Sequence, residues 1–371
     1  MKYYLIAGER SGDLHGANLI KALRQQDSQA QVRCWGGDAM QAAGGELVVH
    51  YRDTAFMGFW EVFKNLRTIR RLLKHCQQDL LRYQPDALVL IDYPGFNLRM
   101  AKFAQQHGLR VFYYISPKVW AWNRARAKKI KATVDHMYVI LPFEEAFYQE
   151  YDYEVQYVGN PLFDAIRNFA PDPDFAAIYL SDDRPVVALL PGSRQQEIAL
   201  MLEMMLHVAD RFPDYHFVVA AVDNVPASLY DAVRYHSAVT VVVNQTYDVL
   251  HHARAAIVTS GTATLETALF EVPQLVTYRM SAITYQIARR VIRVPYISLV
   301  NLVAERAAVP ELIQADFNAE RIAELLPELV DDTPVRQQQL ADYQSIKERL
   351  GDHEASATVA RHIWQALTVR A

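Results

Sequence analysis

Short apolar runs of four or five residues recur along the chain, set between longer stretches that repeat at helical spacing. Tyr3–Ala7, Val32–Trp35, Ala87–Ile91, Val111–Ile115 and Met137–Leu141 make a first series. Runs this short with no polar alternation predict strands buried on both faces, as in parallel sheets. Helical patterns such as Gly16–Arg24 and Phe96–His107 fall between them. A second series follows at Val186–Leu190, Phe217–Ala221, Val239–Val243, Ala256–Thr259 and Leu275–Tyr278. Such alternation predicts an α/β chain whose parallel sheets carry helices on both faces. Between the series, Phe169–Phe175 holds Pro171, Asp172, Pro173 and Asp174, which break both periodicities and read as a linker. The expected division is therefore two Rossmann-like domains, 1–168 and 169–352. The last helix, Ser356–Val369, does not name its docking partner; the stretch from about 353 to 371 is a candidate to pack on the first domain. In paired sheets of this kind ligands sit in a cleft at the carboxyl ends of the strands, so the loops after the strands should carry function.

Composition narrows the picture. The chain has 371 residues, is 51% hydrophobic and carries a formal net charge of −4, so nothing global attracts nucleic acid. Cys34 and Cys76 lie far apart, which argues against a disulfide framework or zinc site and fits a reducing compartment. Met1–Ala7 reads directly as a strand rather than as a basic segment leading into an apolar one, and no apolar run reaches the roughly 20 residues that span a bilayer. The expectation is a cytoplasmic protein whose membrane contact, if any, is peripheral.

Two loops of the second series suit a diphosphate. Leu190-Pro191-Gly192-Ser193-Arg194 and Thr259-Ser260-Gly261-Thr262 each follow a strand and open a helix through small residues. A helix start offers unpaired N–H groups and the positive end of its dipole, which bind phosphate without a metal. Arg194 adds a planar cationic fork, and Glu266, about one turn into its helix, is placed to reach a ribose hydroxyl. In the first series, the loop Ala7–Gly16 is glycine-rich without being GxGxxG. Ser11 or Asp13 reads there as an N-cap, while Glu9 stands at the strand end. Asp92 directly follows the strand Ala87–Ile91 and precedes Pro94-Gly95, a position suited equally to a general base or to a turn former. Aromatics crowd Tyr113–Trp122, where Trp120 and Trp122 can line a pocket or fill a core. Asn301 ends an apolar run and reads as a turn former. Asp172-Pro173-Asp174 has the D-x-D form of a divalent-ion site but lies in the linker, and His251-His252 reads as a solvated helix end. Finally, Phe56, Met57, Phe59 and Trp60 precede a helix bearing Lys64, Arg67, Arg70, Arg71 and Lys74. Its stripe at Val62, Leu66, Ile69, Leu73 and Cys76 is ordinary packing, and the aromatic entry and basic face also suit a lipid surface.

With these segments in hand, the chain resembles the lipid-A-disaccharide synthases, inverting glycosyltransferases of the GT-B type. The resemblance rests on AGERSGDLHGA (7–17), MGFWEV (57–62), IDYPGFN (91–97), YYISPKVWAW (113–122), LPFE (141–144), LLPGSR (189–194), SGTATLE (260–266) and SLVNL (298–302), in that order. It departs at Gly159-Asn160-Pro161, where the family usually has Gly-His-Pro. The resemblance implies UDP-2,3-diacylglucosamine as donor and 2,3-diacylglucosamine 1-phosphate as acceptor, giving a β-1′,6-linked disaccharide 1-phosphate and UDP. It implies Asp92 as base with Glu9 as second candidate or acceptor-positioning partner, and Gly192, Ser193, Arg194, Ser260, Gly261 and Thr262 on the diphosphate. Glu266 would take the ribose, and Asn301 would orient phosphates or sugar. Ser11, Phe56, Met57, Phe59, Trp60, Trp120 and Trp122 would contact acceptor or lipid at the inner-membrane surface. No cofactor or metal is implied, and a homodimer is left open. Two other readings stand beside it: a different GT-B enzyme on a soluble UDP-sugar, such as a nonhydrolysing 2-epimerase, and a non-catalytic UDP-sugar-binding protein.

Overall fold

Every strand pairing in the computed structural model, which describes residues 1–53, 66–180, 182–292 and 294–369, is parallel. The first sheet holds β1 (Lys2–Ala7), β2 (Gln31–Gly36), β3 (Glu46–His50), β4 (Ala87–Ile91), β5 (Val111–Tyr114), β6 (His136–Val139) and β7 (Gln156–Tyr157). Its order is β3-β2-β1-β4-β5-β6-β7. The second sheet holds β8 (Val186–Leu190), β9 (His216–Ala221), β10 (Val239–Val243), β11 (Ala255–Thr259), β12 (Gln274–Tyr278) and β13 (Glu311–Ile313), in the order β10-β9-β8-β11-β12-β13. Each sheet reverses its winding once, between β1 and β4 and between β8 and β11. At such a reversal the two connecting helices leave toward opposite faces and open a crevice at the carboxyl ends of the strands.

The central strands are fully covered, as their uninterrupted apolar runs require: β4, β5, β8 and β11 contain only buried residues. The strands that the apolar pattern misses are β3, β7 and β13, all at sheet edges and only partly covered. An edge strand faces solvent along one side and does not need a continuous apolar run.

The chain forms two compact units, 1–167 with 351–371 and 168–350. The closing helix Ala355–Thr368 buries Ala355, Val359, Ala360 and Ile363 in the same core as Leu19, Ile20 and Leu23 of the helix Arg10–Gln26. At the start of the second unit, Phe169 packs edge-on against Tyr247 and Phe270, 5.6 and 5.7 Å between ring centres. The backbone N–H of Asp172 donates to Asp248, and the Asp172 carboxylate accepts from the N–H of Asp174 and the amide of Gln245. The D-x-D carboxylate thus shapes its own turn.

On the first sheet's other face, Trp35 Nε1 donates to Tyr4 Oη at 2.8 Å, and Tyr4 donates to Asp79 at 2.8 Å. Arg33 closes the network with two bonds to Asp79. Buried polar groups need such partners, and this set pins the helix Leu66–Tyr83 to the sheet through its buried Cys76, Asp79 and Leu80. Toward the start of that helix Ile69, Leu72 and Leu73 are only partly covered, and Arg67, Arg70, Arg71 and Lys74 are exposed.

Candidate active site at two sheet reversals

Parallel pairing brings Ala7 of β1 opposite Ile91 of β4. Glu9 and Asp92 follow these two residues, so both candidate acids stand at the reversal of the first sheet, and both are partly exposed. Glu9 is the N-cap residue of the helix Arg10–Gln26 but makes no side-chain cap bond. Asp13, one of two expected caps for that helix, serves another. Its carboxylate accepts from the N–H groups of Gly37, Ala39 and Met40 at 2.7–3.1 Å, capping the short helix Asp38–Ala42. Ser11, the other expected cap, lies exposed in the first helical turn instead.

The Asp92 turn is strained. Asp92 and Tyr93 have φ of 44° and 48°, and Ile115 at the end of the neighbouring β5 has 68°. Left-handed backbone costs an L-residue roughly 1–2 kcal/mol, and a β-branched residue there is a genuine outlier. Such strain survives only where the surroundings over-determine it, and it clusters at functional sites. The surroundings are visible. The Asp92 N–H donates to the Tyr114 carbonyl at 3.0 Å, and the Asp92 carbonyl accepts from Tyr113 Oη at 2.5 Å and Asn97 Nδ2 at 2.8 Å. The Tyr93 ring stacks on Phe96, 5.6 Å between centres, and lies over Gly8. A Cβ on Gly8 would stand 2.2 Å from Tyr93 Cγ, so only glycine permits this approach. The contact couples the Glu9 loop to the Asp92 turn. Sequence reasoning singled out neither Asn97 nor Tyr113 for this work, because no spacing marks a backbone carbonyl as a target.

In the second sheet, Leu190 of β8 pairs with Val258 of β11, and the two small-residue loops follow at that reversal. Gly192 has φ of 113°, a region open to glycine. Arg194 is the N-cap residue of the helix Gln195–Ala209, again without a side-chain cap. Its side chain is 52% exposed, and its one ion pair among the described residues is a long contact to Glu197 at 3.4 Å, worth little at an exposed site. Ser193 is exposed beside it. Across the pair, Gly261 precedes the helix Thr262–Leu269 in extended backbone, with no side-chain cap. A Cβ there would meet nothing nearer than the Thr259 carbonyl oxygen at 3.9 Å. Thr262 is exposed, and Ser260 Oγ donates to the Ile297 carbonyl at 2.8 Å. Glu266 is partly buried and accepts from Tyr247 Oη at 2.9 Å; burial pushes its carboxyl up, while the tyrosine bond opposes this.

Two expectations need correction. Asn301 lies within the helix Leu299–Ala304, not at a strand end, and is 1% exposed. Its amide donates to the Val309 carbonyl and Glu311 Oε1 at 2.9 Å and accepts from the Val309 N–H at 2.9 Å. Its amide is thus engaged inside the unit, where Asn301 ties the 298–311 turn together. Trp120 is likewise core: it is buried, donates to Glu144 at 3.1 Å and meets Phe143 edge-on. Glu144 is itself buried and pushed up to about 7 by loss of water, opposed by bonds from the N–H groups of Leu141 and Ile140 and from Trp120. Trp122, by contrast, is 48% exposed, with the Arg126 guanidinium 4.9 Å from its ring centre and Lys128 and Lys129 exposed beyond it. Asn160 also acquires a role. Buried, it donates to the Ile140 carbonyl and accepts from the Leu162 N–H at 3.0 Å, an N-cap of the helix Pro161–Arg167. Phe56, Met57, Phe59, Trp60, Phe63 and Lys64 fall outside the described residues.

A family model described as lipid-A-disaccharide synthetase matches residues 3–363. The lipid-A-disaccharide synthase of Geobacter sulfurreducens is 39% identical over 370 residues, covering 98% of this chain and 96% of that protein. That of Myxococcus xanthus is 37% identical over 374 residues, covering 98% and 97%. Among solved structures, a UDP-GlcNAc 2-epimerase from Neisseria meningitidis bound to UDP-GlcNAc superimposes with a TM-score of 0.71 at 13% identity, covering 98% of this chain and 99% of that one. CalG4, the calicheamicin glycosyltransferase, gives 0.59 at 16% identity, covering 98% of each chain. At such low identity the structural likeness speaks for the fold alone, the two-sheet GT-B arrangement.

Proposed function

The chain belongs to the lipid-A-disaccharide synthetase family and is a glycosyltransferase of lipid A biosynthesis, and from that premise we propose its substrates and the roles of its residues. The donor is UDP-2,3-diacylglucosamine and the acceptor 2,3-diacylglucosamine 1-phosphate. One observation carries this reading: both candidate clusters fall at the reversal points of their sheets, the acids of one unit after β1 and β4 and the phosphate-type loops of the other after β8 and β11.

In the proposed reaction the acceptor 6-hydroxyl oxygen bonds to the anomeric carbon of the donor from the face opposite UDP. The carbon–oxygen bond to the diphosphate breaks, and its electron pair leaves with UDP. Asp92 takes the hydroxyl proton, and Glu9, across the Gly8–Tyr93 contact, orients the acceptor. Arg194 and the helix start at Gly261-Thr262 stabilise the charge that grows on the departing diphosphate, with Gly192, Ser193 and Ser260 shaping the loops around it. Fixed donors aimed at developing charge are the strongest aid an enzyme gives such a step. Glu266 receives the ribose, with the Tyr247 bond holding its carboxyl in place.

The test is UDP release with acylated and unacylated UDP-glucosamine, each with and without the acceptor. Release only with acylated donor plus acceptor is expected. Epimerisation of a soluble UDP-sugar without acceptor would speak for the epimerase reading, and absence of turnover for a binding protein.

The lipid substrates place the enzyme at the inner-membrane surface, as a peripheral partner. No helix among the described residues is long and apolar enough to cross a membrane. The exposed Arg67, Arg70, Arg71 and Lys74 support electrostatic contact with anionic headgroups, and Trp122 with Arg126 offers a ring and a cation suited to the same boundary. Reversing Arg67, Arg70 and Arg71 to Glu is expected to reduce sedimentation with anionic vesicles most strongly at low salt, where screening is weakest. Equal sedimentation of both proteins at low salt would remove this helix from the membrane surface.

A further inference from the structure

We infer that Tyr113 and Asn97 are positioning residues for the transfer reaction, holding the Asp92 peptide in the left-handed turn that sets the direction of its carboxylate. The inference rests on the reading of Asp92 as the base.

Four observations carry it. Asp92 and Tyr93 are consecutive non-glycine residues at positive φ, a conformation the chain does not adopt unaided. The Asp92 carbonyl is the focus of two side-chain donors, Tyr113 Oη at 2.5 Å and Asn97 Nδ2 at 2.8 Å. The same Asn97 nitrogen lies 3.2 Å from the Ile91 carbonyl and 3.3 Å from that of Ile6, so it ties the ends of β4 and β1 together. Both donors are fully buried, whereas Asp92 is partly exposed. Neither can touch a substrate from within the core; each acts through the carbonyl it holds. Burial, with the Asp92 charge adding to it, keeps the Tyr113 hydroxyl protonated far above the usual tyrosine range, so it remains a donor wherever the enzyme works.

Were the carbonyl released, the 92–93 peptide would be free to relax toward an ordinary turn. The Cα–Cβ direction of Asp92 would turn with it. Displacing a reacting group by about 1 Å is enough to cost roughly a hundredfold in rate. The effect should therefore fall on kcat and not on KM, since uniform binding of substrate does not depend on where the base points.

Tyr113→Phe deletes one donor and keeps the ring. It is expected to lower kcat by about tenfold or more, with KM for either substrate changed by less than about twofold and UDP affinity unchanged. Asn97→Ser, which shortens the second donor, serves as an independent variant should the first fail to fold, with circular dichroism reporting the fold of each. The deciding measurement is a double-variant cycle with Asp92→Asn. Once the base is gone there is nothing to aim, so adding Tyr113→Phe to Asp92→Asn should change the residual rate by less than about twofold. Near-wild-type turnover of Asp92→Asn alone would sink the base reading. A dead Asp92→Asn beside fully active Tyr113→Phe and Asn97→Ser would sink the positioning inference alone. So would a Tyr113→Phe loss that persists undiminished in the Asp92→Asn background, or one that appears in KM with kcat intact.

Discussion

Asp92→Asn is expected to cut the transfer rate by about 10²–10⁴-fold, the usual contribution of a general base, while the protein folds and binds UDP as before. The substitution is unusually clean. Asparagine has nearly the same shape and is among the residues that tolerate left-handed backbone, so the turn at φ 44° imposes no new strain. The bonds that hold the turn run to the peptide, from Tyr113 and Asn97 and to Tyr114, and none is removed. The loss that bears on catalysis is the capacity of one partly exposed side chain to accept a proton. Steady-state UDP release with acylated donor and acceptor measures the loss, and calorimetric titration with UDP checks the intact second unit. A variant keeping more than about a tenth of the rate would shift the base role away from Asp92. Glu9, at the end of the adjacent strand, would then be the next group to change.

Arg194→Ala is expected to weaken UDP binding by about 10- to 100-fold, the scale of a lost hydrogen bond to a charged group, and to slow transfer further because diphosphate charge grows at the transition state. Stability should hardly move, since the exposed side chain's one ion pair among the described residues is the 3.4 Å contact to Glu197. Lysine should restore part of the affinity, because an ammonium keeps the charge but lacks the two-pronged geometry. A companion variant probes the opposite loop. Gly261→Ala introduces a methyl that meets no protein atom closer than 3.9 Å, in backbone any residue adopts. Its melting temperature should match wild type, and a fall in UDP affinity would then report a ligand passing against that backbone. Equal UDP affinity of wild type and Arg194→Ala would mark Arg194 as a surface residue.

The strands of both sheet interiors were legible because a strand covered on both faces must be apolar throughout, and that demand is written locally. β4, for instance, is Ala-Leu-Val-Leu-Ile with no exposed residue. The loops were legible for a related reason: small residues before a helix start leave their mark on a few adjacent positions, as at Gly192-Ser193 and Ser260-Gly261. Only the tertiary structure decided the rest, because each remaining question turns on residues remote in sequence. Trp120 and Trp122 differ by two positions, yet one finds Glu144 and the other finds solvent. Asn301 reads as a turn former at the end of an apolar run, yet it lies within a helix with Val309 and Glu311 folded back onto it. Asp13 turns from its own helix to cap one that begins 25 residues later. The closing helix carries an apolar face that suits any core, and the chain's return to the first unit, through 351–371, selects among them. The left-handed turn at Asp92 is the clearest case. Nothing in Ile91-Asp92-Tyr93 beyond aspartate's tolerance of left-handed backbone marks two successive positive φ angles, and the partners that meet there, Tyr113 from the neighbouring strand and Asn97 from the following helix, converge on one carbonyl. Sequence determines which groups stand at the strand ends; packing between distant segments determines where those groups point.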